Sequence, residues 1–344
     1  MRVTLLTLAT LALAAAGGLA LNAIGMPAGL LMGGALTVTI AAVLGFRATF
    51  PTRLRDAQFV LVGMTMGANV APETLSLIGQ WPITMAALAI ELVLVVMACG
   101  FILQKLFALD RGTAYLSSFP GHLSFIVAIA SAGVGEPRKI VVIQTLRVMI
   151  LTLCAPVGAI FLPVGDFSGA GATGVATPQT LVVIALGSIA AGWIFSRLKV
   201  PAGYVLGSMA FATTMKLTGH FDGGLPPLLV EITFIGMAAL IGSRFAGITR
   251  PELAKAAIGG LVTTGVTVSI VTATALFVSQ WVDMPIGQLW LGLSPGGLES
   301  MGALGIALGY DTAFIAAHHV ARLLMLTFAI PTVVFLVRGK IREV

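Results

Sequence analysis

Met26-Pro27-Ala28-Gly29-Leu30-Leu31-Met32-Gly33 is matched by Val200-Pro201-Ala202-Gly203-Tyr204-Val205-Leu206-Gly207, and positions 26 and 200 are 174 apart. A second pair, Pro120-Gly121-His122-Leu123 and Pro295-Gly296-Gly297-Leu298, is 175 positions apart, as are Arg147 and Arg322. Constant spacing over most of the chain indicates an internal duplication. We therefore predict two related units, residues 1–165 and 177–344, joined by a Gly-rich linker at residues 166–176.

The composition excludes a soluble globular protein. Hydrophobic residues make up 58% of the chain and charged residues only 9%, whereas a soluble domain has about 25% charged residues. A chain of 344 residues cannot bury so much apolar surface in one core, because part of every folded protein faces water. Each apolar run of roughly 20 residues therefore predicts a transmembrane helix. The predicted class is an all-α polytopic membrane protein in a lipid bilayer.

The charge and the cysteines argue against two other classes. The net charge is +6, but the Lys and Arg residues form short clusters between apolar runs, as expected of loop anchors. We therefore predict no nucleic-acid partner. Cys99 and Cys154 both lie inside apolar runs, so no disulfide or metal framework is expected.

Residues 1–20 resemble a signal peptide, but the repeat pairs them with residues 178–198, so we expect them to be retained.

Two segments, residues 112–134 and 287–310, carry Pro-Gly near their middle, which breaks a helix. If all twelve apolar segments crossed the membrane, 10 Lys and Arg would lie inside and 7 outside. If both interrupted segments are re-entrant hairpins, 16 of the 19 lie inside, only Lys216 lies outside, and Arg147 and Arg322 lie within helices. The positive-inside rule favours the hairpins over broken helices that cross.

This count predicts the topology. Each unit contributes five transmembrane helices and one Pro-Gly hairpin, which gives ten spans and two hairpins. Because five is odd, the second unit starts on the opposite side from the first, and the two units become inverted repeats. The N- and C-termini are then both cytoplasmic, and the predicted location is the bacterial inner membrane.

Two helix breaks at membrane depth, related by inverted repeats, predict a binding site near the midplane. The half-helix after each break offers free N–H groups and the positive end of its dipole to an anion. The alternative is a structural kink in an ordinary helix. The predicted substrate-binding residues are Pro120, Gly121, His122, Ser124, Gln144, Arg147, Ser294, Pro295, Gly296, Gly297, Glu299, Ser300, His319 and Arg322.

Arg147 and Arg322 lie within apolar helices at matching positions, where a charge is costly and marks a functional candidate. Gln144 and His319 each precede an arginine by three residues, which places each pair on one helix face. Two interpretations stay open: the arginines clamp an anion or carboxylate, or they hold the hairpins by binding their carbonyl groups.

Glu299, His319 and Asn69 are candidates for a coupling ion or proton. Glu299 either pairs with Arg322 or takes up a proton, since burial can bring a carboxyl group toward neutral pH. Arg244 lies at a helix end roughly equivalent to that of Asn69. These residues either face the hairpins or serve as loop anchors, and the second interpretation is favoured. His318 and His319 point about 100° apart on a helix, so no metal site is predicted.

The repeated Pro-Ala-Gly-x-x-x-Gly motif and the stretch Pro295-Gly296-Gly297-Leu298-Glu299-Ser300-Met301 resemble the bacterial AbrB-type membrane family over nearly the whole chain. That family carries a tandem membrane duplication and is distinct from the small DNA-binding regulator of similar name. Its labels include ammonia monooxygenase and regulator of aidB expression. A copper or iron oxygenase needs a His and carboxylate cluster, which this sequence lacks. His122 and Ser124 depart from the motif, so the two hairpins are not chemically equivalent.

The predicted function is secondary transport of a small solute, with an organic anion favoured, by alternating access around the midplane site. Coupling to H⁺ or Na⁺ is compatible with this prediction, and a homodimer is the default assembly. A membrane sensor that affects gene expression without transport is the alternative. A membrane enzyme is disfavoured, because no nucleophile elbow, Walker loop, Rossmann fingerprint or Cys-x-x-Cys motif occurs. No cofactor is expected.

Overall fold

The structure is a computed structural model that describes residues 2–26, 28–70, 74, 78–121, 123–159, 175–221, 224–247 and 250–339. In this part of the chain the regular structure is helical, and the extended pairing consists of one isolated bridge between Val175 and Gly224. Most of the predicted linker lies outside the described residues. The α-helices are α1 (Arg2–Ala23), α2 (Gly29–Val43), α3 (Thr52–Ala68), α4 (Trp81–Leu106), α5 (Arg111–Ser118), α6 (Leu123–Ile129), α7 (Pro137–Ala159), α8 (Pro178–Arg197), α9 (Gly203–Leu217), α10 (Pro227–Ser243), α11 (Arg250–Val278), α12 (Ile286–Leu293), α13 (Leu298–Ala307) and α14 (Thr312–Gly339).

Several of these helices have the length and composition of membrane spans. Five stretches of the described chain are long and apolar enough to cross a bilayer. They are Arg2–Ala23, Ile78–Leu106, Pro178–Arg197, Ile258–Val278 and Thr312–Thr332. Large apolar side chains such as Leu186 and Phe328 are exposed on them, as expected for surfaces that face lipid. The all-helical membrane class predicted from the composition is confirmed.

Helix lengths and turn geometry recur between α1–α7 and α8–α14. Both α2 and α9 have 15 residues, and both α5 and α12 have 8. The residue before α2 is Ala28, with φ 53°, and the residue before α9 is Ala202, with φ 52°. A left-handed alanine is uncommon, so its occurrence at both copies of the Pro-Ala-Gly motif is a specific structural correspondence.

Glycines of this motif allow the first two helices of each half to approach closely. A Cβ on Gly33 of α2 would lie 2.1 Å from the Gly17 carbonyl oxygen of α1. A Cβ on Gly207 of α9 would lie 2.3 Å from the Ala191 carbonyl oxygen of α8. The small residues of the motif thus allow close helix contact in both halves.

The helices form two bundles, each drawn from both halves of the chain. The first bundle contains α1–α3 and α8–α10, and the second contains α4–α7 and α11–α14. Contacts between the halves occur twice: two positions that meet across the halves are matched by a second contact, in which each half supplies the other partner. Gly63 of α3 faces Ser208 of α9, and at the corresponding positions Ala238 of α10 faces Gly34 of α2.

The Pro-Gly segments of the second bundle double back. In the first, the backbone N–H of Glu136 donates to Thr113 Oγ1 at 2.7 Å, so the residue after the segment touches its start. In the second, the N–H of Asp311 donates to Gln288 Oε1 at 3.1 Å. We call these segments hairpin 1 (residues 111–135) and hairpin 2 (residues 286–310). Each arm is short, since 8 residues of α5 or α12 rise only about 12 Å.

Candidate binding site at the hairpin tips

Both hairpin tips leave the helix in the same way. The N–H of Gly121 donates to the Phe119 carbonyl at 3.2 Å, and the N–H of Gly296 donates to the Ser294 carbonyl at 2.9 Å. Gly121 has φ 132°, a conformation that an L side chain rarely adopts. The tip of hairpin 1 faces Leu323 and Leu326 on α14, because a Cβ on Gly121 would lie 3.2 Å from the Leu326 side chain.

The two buried arginines hold these tips. Arg147 on α7 donates to the carbonyl of Ser118 at 3.1 Å and to that of Phe119 at 2.7 Å. Arg322 on α14 donates to the carbonyl of Ser294 and, at 2.7 Å, to that of Gly296. The broken backbone exposes carbonyl groups that no helix satisfies, and each arginine supplies the missing donors. The geometry therefore shows the hairpin-holding role that the sequence left open.

The residues one turn before the arginines differ in chemistry. Gln144 donates to the Leu116 carbonyl at 3.0 Å and so also fixes hairpin 1. His319 Nδ1 lies 2.9 Å from the Ile315 carbonyl oxygen, and because a carbonyl only accepts, Nδ1 carries the proton. This leaves His319 Nε2 as a fully buried acceptor with no partner in the described part of the chain.

A cavity of about 640 Å³ brings the predicted residues together. It lies where the two hairpin tips meet the first bundle. Its lining includes the predicted residues Pro120, Gly121, Gln144, Arg147, Pro295, Gly296, Gly297, Glu299, His319 and Arg322. The tips and arginines of both halves thus contribute to one site rather than to two.

Other predicted residues lie elsewhere. Ser294 and Ser300 are fully buried but do not line the cavity. Asn69 does not line it either, and its side chain donates to the Thr65 carbonyl of its own helix at 2.8 Å. His122 lies outside the described residues, and so does the side chain of Ser124.

The opposite wall comes from the first bundle, and its residues were not among the predicted site residues. It consists of Arg55, Phe59, Ala202, Leu240 and Arg244. Arg244 Nη2 lies 3.0 Å from Glu299 Oε1, so Arg244 faces hairpin 2, which was the less favoured of its two interpretations. Glu299 therefore pairs with Arg244 across the bundle boundary and not with Arg322. The sequence could not choose between the two roles of Arg244, since helix-end arginines are also typical loop anchors.

A buried carboxyl group interacts electrostatically with Arg322. Glu91 on α4 is only 3% exposed, its Oε2 has no hydrogen-bond partner, and its charge interacts with that of Arg322. The positive charges of Arg322 and Arg147 repel each other. Among the described residues no carboxylate is paired with Arg147. Glu91 is not among the site residues predicted from the sequence.

Metal ligation has no obvious place in the described structure. No group of three or more His, Cys, Asp or Glu side chains is arranged there to hold an ion. His318 is engaged in packing and hydrogen bonding, with Nδ1 2.8 Å from the Phe314 carbonyl oxygen and Nε2 2.6 Å from Thr84 Oγ1. Cys99 is buried with its Sγ 3.4 Å from Thr267 Oγ1.

Comparison with known proteins gives the family. A family profile described as "Transition state regulatory protein AbrB" matches residues 30–338. The chain belongs to the AbrB family. It is similar to "Uncharacterized protein YhjN" of Bacillus subtilis strain 168, with 23% identity over 93% of this chain and 90% of the relative. It is also similar to "Putative regulator AbrB" of Escherichia coli K12, with 22% identity over 90% of each chain. The resemblance stated from the motifs is confirmed.

Proposed function

We propose that this protein is a secondary transporter of a small organic anion in the bacterial inner membrane. One observation carries the proposal: both hairpin tips and both buried arginines line a single cavity at the boundary between two helix bundles. Broken helices that meet at the midplane of repeated halves are how many secondary transporters bind their substrates. Neither a sensor nor an enzyme requires two such breaks at one place.

The charge of the cavity wall favours an anion. Four of its lining residues are arginines and one is a carboxylate, Glu299. The half-helix α13 begins at Leu298 beside Gly297, so its free N–H groups add a positive dipole end at the same place. The volume of about 640 Å³ suits a small molecule.

The bundle boundary supplies the moving part in this proposal. The second bundle carries both hairpins, whereas Arg55, Phe59 and Arg244 approach the cavity from the first bundle. Movement of one bundle against the other would open the cavity to each side in turn. The Arg244–Glu299 pair crosses this boundary and would break or reform during that movement.

The topology belongs to the same proposal. We infer ten spans and two re-entrant hairpins, with the halves inverted and both termini cytoplasmic. The support comes from the Lys and Arg distribution and from hairpins whose two ends touch at Thr113–Glu136 and Gln288–Asp311. We further propose a homodimer, by the general preference of membrane and soluble oligomers for two-fold symmetry, and no catalytic activity.

Transport in proteoliposomes tests the function. Purified protein is reconstituted into vesicles that are loaded with a mixture of unlabelled mono- and dicarboxylates. Uptake of each radiolabelled compound into these vesicles is then measured by counterflow. The matched variants are Arg55→Gln, which alters the cavity wall, and Arg53→Gln, which changes an exposed arginine outside it two residues earlier on α3. We expect slower counterflow for Arg55→Gln only. Saturable binding without counterflow of any compound would contradict transport.

A sensor is the second candidate, and the printed name of the Escherichia coli relative, "Putative regulator AbrB", is the observation that favours it. The same cavity would then bind an anion and pass the signal to a partner. Binding without flux is the result that would select this candidate. An effect on gene expression alone would not, because transport of a metabolite can also change transcription.

A further inference from the structure

The charged groups around the cavity are unequally matched. Two arginines form salt bridges, Arg322 interacts electrostatically with buried Glu91, and Arg147 has no carboxylate partner among the described residues. The salt bridges join Arg244 to Glu299 at 3.0 Å and Arg55 to Asp56 at 2.9 Å. With every group ionised, the empty site therefore carries one unmatched positive charge.

Glu91 differs from the other two carboxylates in its place. Glu299 lines the cavity, and Asp56 is partly exposed and paired with Arg55 of the cavity wall, whereas Glu91 is buried and does not line the cavity. It interacts electrostatically with Arg322, which does line the cavity. Its Oε2 has no hydrogen-bond partner, and an unpartnered buried carboxylate oxygen is an atom that a proton can satisfy.

The other charged groups near α4 do not compete for Glu91. Helix α14 brings His318, whose two ring nitrogens are both engaged, and His319 beside Arg322. Helix α5 brings Arg111 and Tyr115, but the Tyr115 ring packs on Gly100, nine residues further along α4 and so about 13 Å away. The charged residues of α11 all lie in its first turns, and Lys105 lies at the far end of α4. In sequence, these residues are Arg250, Glu252 and Lys255 of α11 and Lys105 of α4.

We propose that Glu91 is a proton-binding site coupled to the anion site, so that one proton and one monocarboxylate are carried together. This inference rests on the proposed transport function. When Glu91 is ionised, it supplies the negative charge opposite Arg322. When an anion enters the cavity, the anion supplies the negative charge opposite Arg322. A second negative charge on buried Glu91 is then unfavourable, and protonation of Glu91 removes that charge.

The charge balance explains the stoichiometry. The empty site with ionised Glu91 has two positive charges, on Arg147 and Arg322, and one negative charge. The loaded site with protonated Glu91 has the same two arginines and the one negative charge of the substrate. Both forms thus carry the same net charge, so both can change conformation at similar cost, and the cycle moves no net charge. Because linkage is reciprocal, protonation strengthens anion binding by the factor that the anion strengthens protonation, typically about 5–150-fold.

Lactate and pyruvate are suitable probes, since carboxylates of this kind titrate near pH 4 and keep one charge from about pH 6 to about pH 8. Binding of each probe to purified protein is measured over that range, and uptake is measured in proteoliposomes under a pH gradient, a sodium gradient or a potassium diffusion potential. For the wild type we expect tighter binding at the lower pH, and accumulation driven by the pH gradient alone. A pH dye trapped in the vesicles should report one proton per substrate.

The test variant is Glu91→Gln, which keeps the shape of the protonated side chain. We expect its probe affinity to stay at the low-pH level throughout, its counterflow to persist, and its pH-driven accumulation to disappear. Glu231→Gln is the matched control, because Glu231 is an exposed carboxylate on a helix of the first bundle. His319→Gln alters the neighbouring titratable group of the cavity wall, and its coupling is compared with that of Glu91→Gln.

The outcomes separate this inference from the proposed function. Counterflow without pH-driven accumulation in the wild type, or accumulation that survives in Glu91→Gln, would overturn the proton site and leave transport standing. Suppose that probe binding depends on pH in the wild type but not in Glu91→Gln, and that neither protein shows any flux. This result would support the proton site and overturn transport. If Glu91→Gln does not fold, the proton count in the wild type decides: a count of zero refutes the proposal. Coupling lost in His319→Gln but kept in Glu91→Gln would also refute it.

Discussion

A double-mutant cycle on Glu91 and Arg322 tests the buried charge pair directly, without reference to transport. Arg322→Gln removes the donors to the Ser294 and Gly296 carbonyls and also leaves Glu91 without its cation. Arg147→Gln removes two equivalent carbonyl contacts but strands no carboxylate. Each unpaired buried carbonyl costs about 1–3 kcal/mol, and this cost is common to both variants.

The difference between the variants is the stranded charge. Removing one partner of a buried ion pair destabilises a protein by about 3–5 kcal/mol. Because Glu91 and Arg322 interact without forming a direct salt bridge, we expect a smaller difference. Arg322→Gln should lower the free energy of unfolding by about 2–3 kcal/mol more than Arg147→Gln does. Adding Glu91→Gln to Arg322→Gln should recover most of that difference, because the neutral side chain needs no cation.

Reversible unfolding by sodium dodecyl sulfate in mixed micelles, followed by tryptophan fluorescence, measures these free energies. The control cycle combines Arg147→Gln with Glu91→Gln, and its two effects should add to within about 0.5 kcal/mol. Additive effects in the Arg322 cycle as well would refute the pairing of Glu91 with Arg322. The proton-coupling inference would then lose its structural basis.

Three further predictions concern topology, packing and pH. Lys139→Cys, at the exposed start of α7, should react with membrane-impermeant maleimide only from the cytoplasmic side, and periplasmic labelling would contradict hairpin 1 as a re-entrant segment. Gly33→Ala should cost about 1–3 kcal/mol in the same detergent titration, because its Cβ would meet the Gly17 backbone, whereas Gly265→Ala, with open space around it, should be neutral or stabilising. Burial raises the pKa of Asp311, in the turn before α14, so its folded-state pKa lies above the unfolded value and ionisation lowers stability as pH rises between the two. Asp311→Asn keeps the acceptor for the Ala313 N–H and should therefore be more stable than the wild type at neutral pH, with no such advantage below the unfolded pKa, as followed by thermal unfolding at several pH values.

The hairpins illustrate how far sequence reasoning reaches. A Pro-Gly pair inside an apolar segment breaks the helix wherever it occurs, and a broken backbone at membrane depth needs donors for its carbonyl groups. Arg147 and Arg322 lie near the middle of apolar segments, where long cationic side chains are rare. Their contact with the tips at Phe119 and Ser294 follows from this local chemistry, which is why these site residues could be selected before the fold was known.

Glu299 illustrates where sequence reasoning stops. Its partner Arg244 lies 55 residues away at the end of a helix in the other bundle, and its alternative partner Arg322 is much closer in sequence. Nothing in the spacing distinguishes the two, since the choice depends on how the bundles meet. The same holds for Glu91, whose neighbour Arg322 lies on a helix from the other half of the chain.

The sequence by itself determined the membrane class, the repeated motifs, the two helix breaks and the residues that stabilise them, because each follows from composition, periodicity or the backbone's need for hydrogen bonds. The tertiary structure decided which charges face one another. The helices of both halves interleave in each bundle, so the cavity wall and the carboxylate behind Arg322 are brought together only by packing between segments that are distant in the chain.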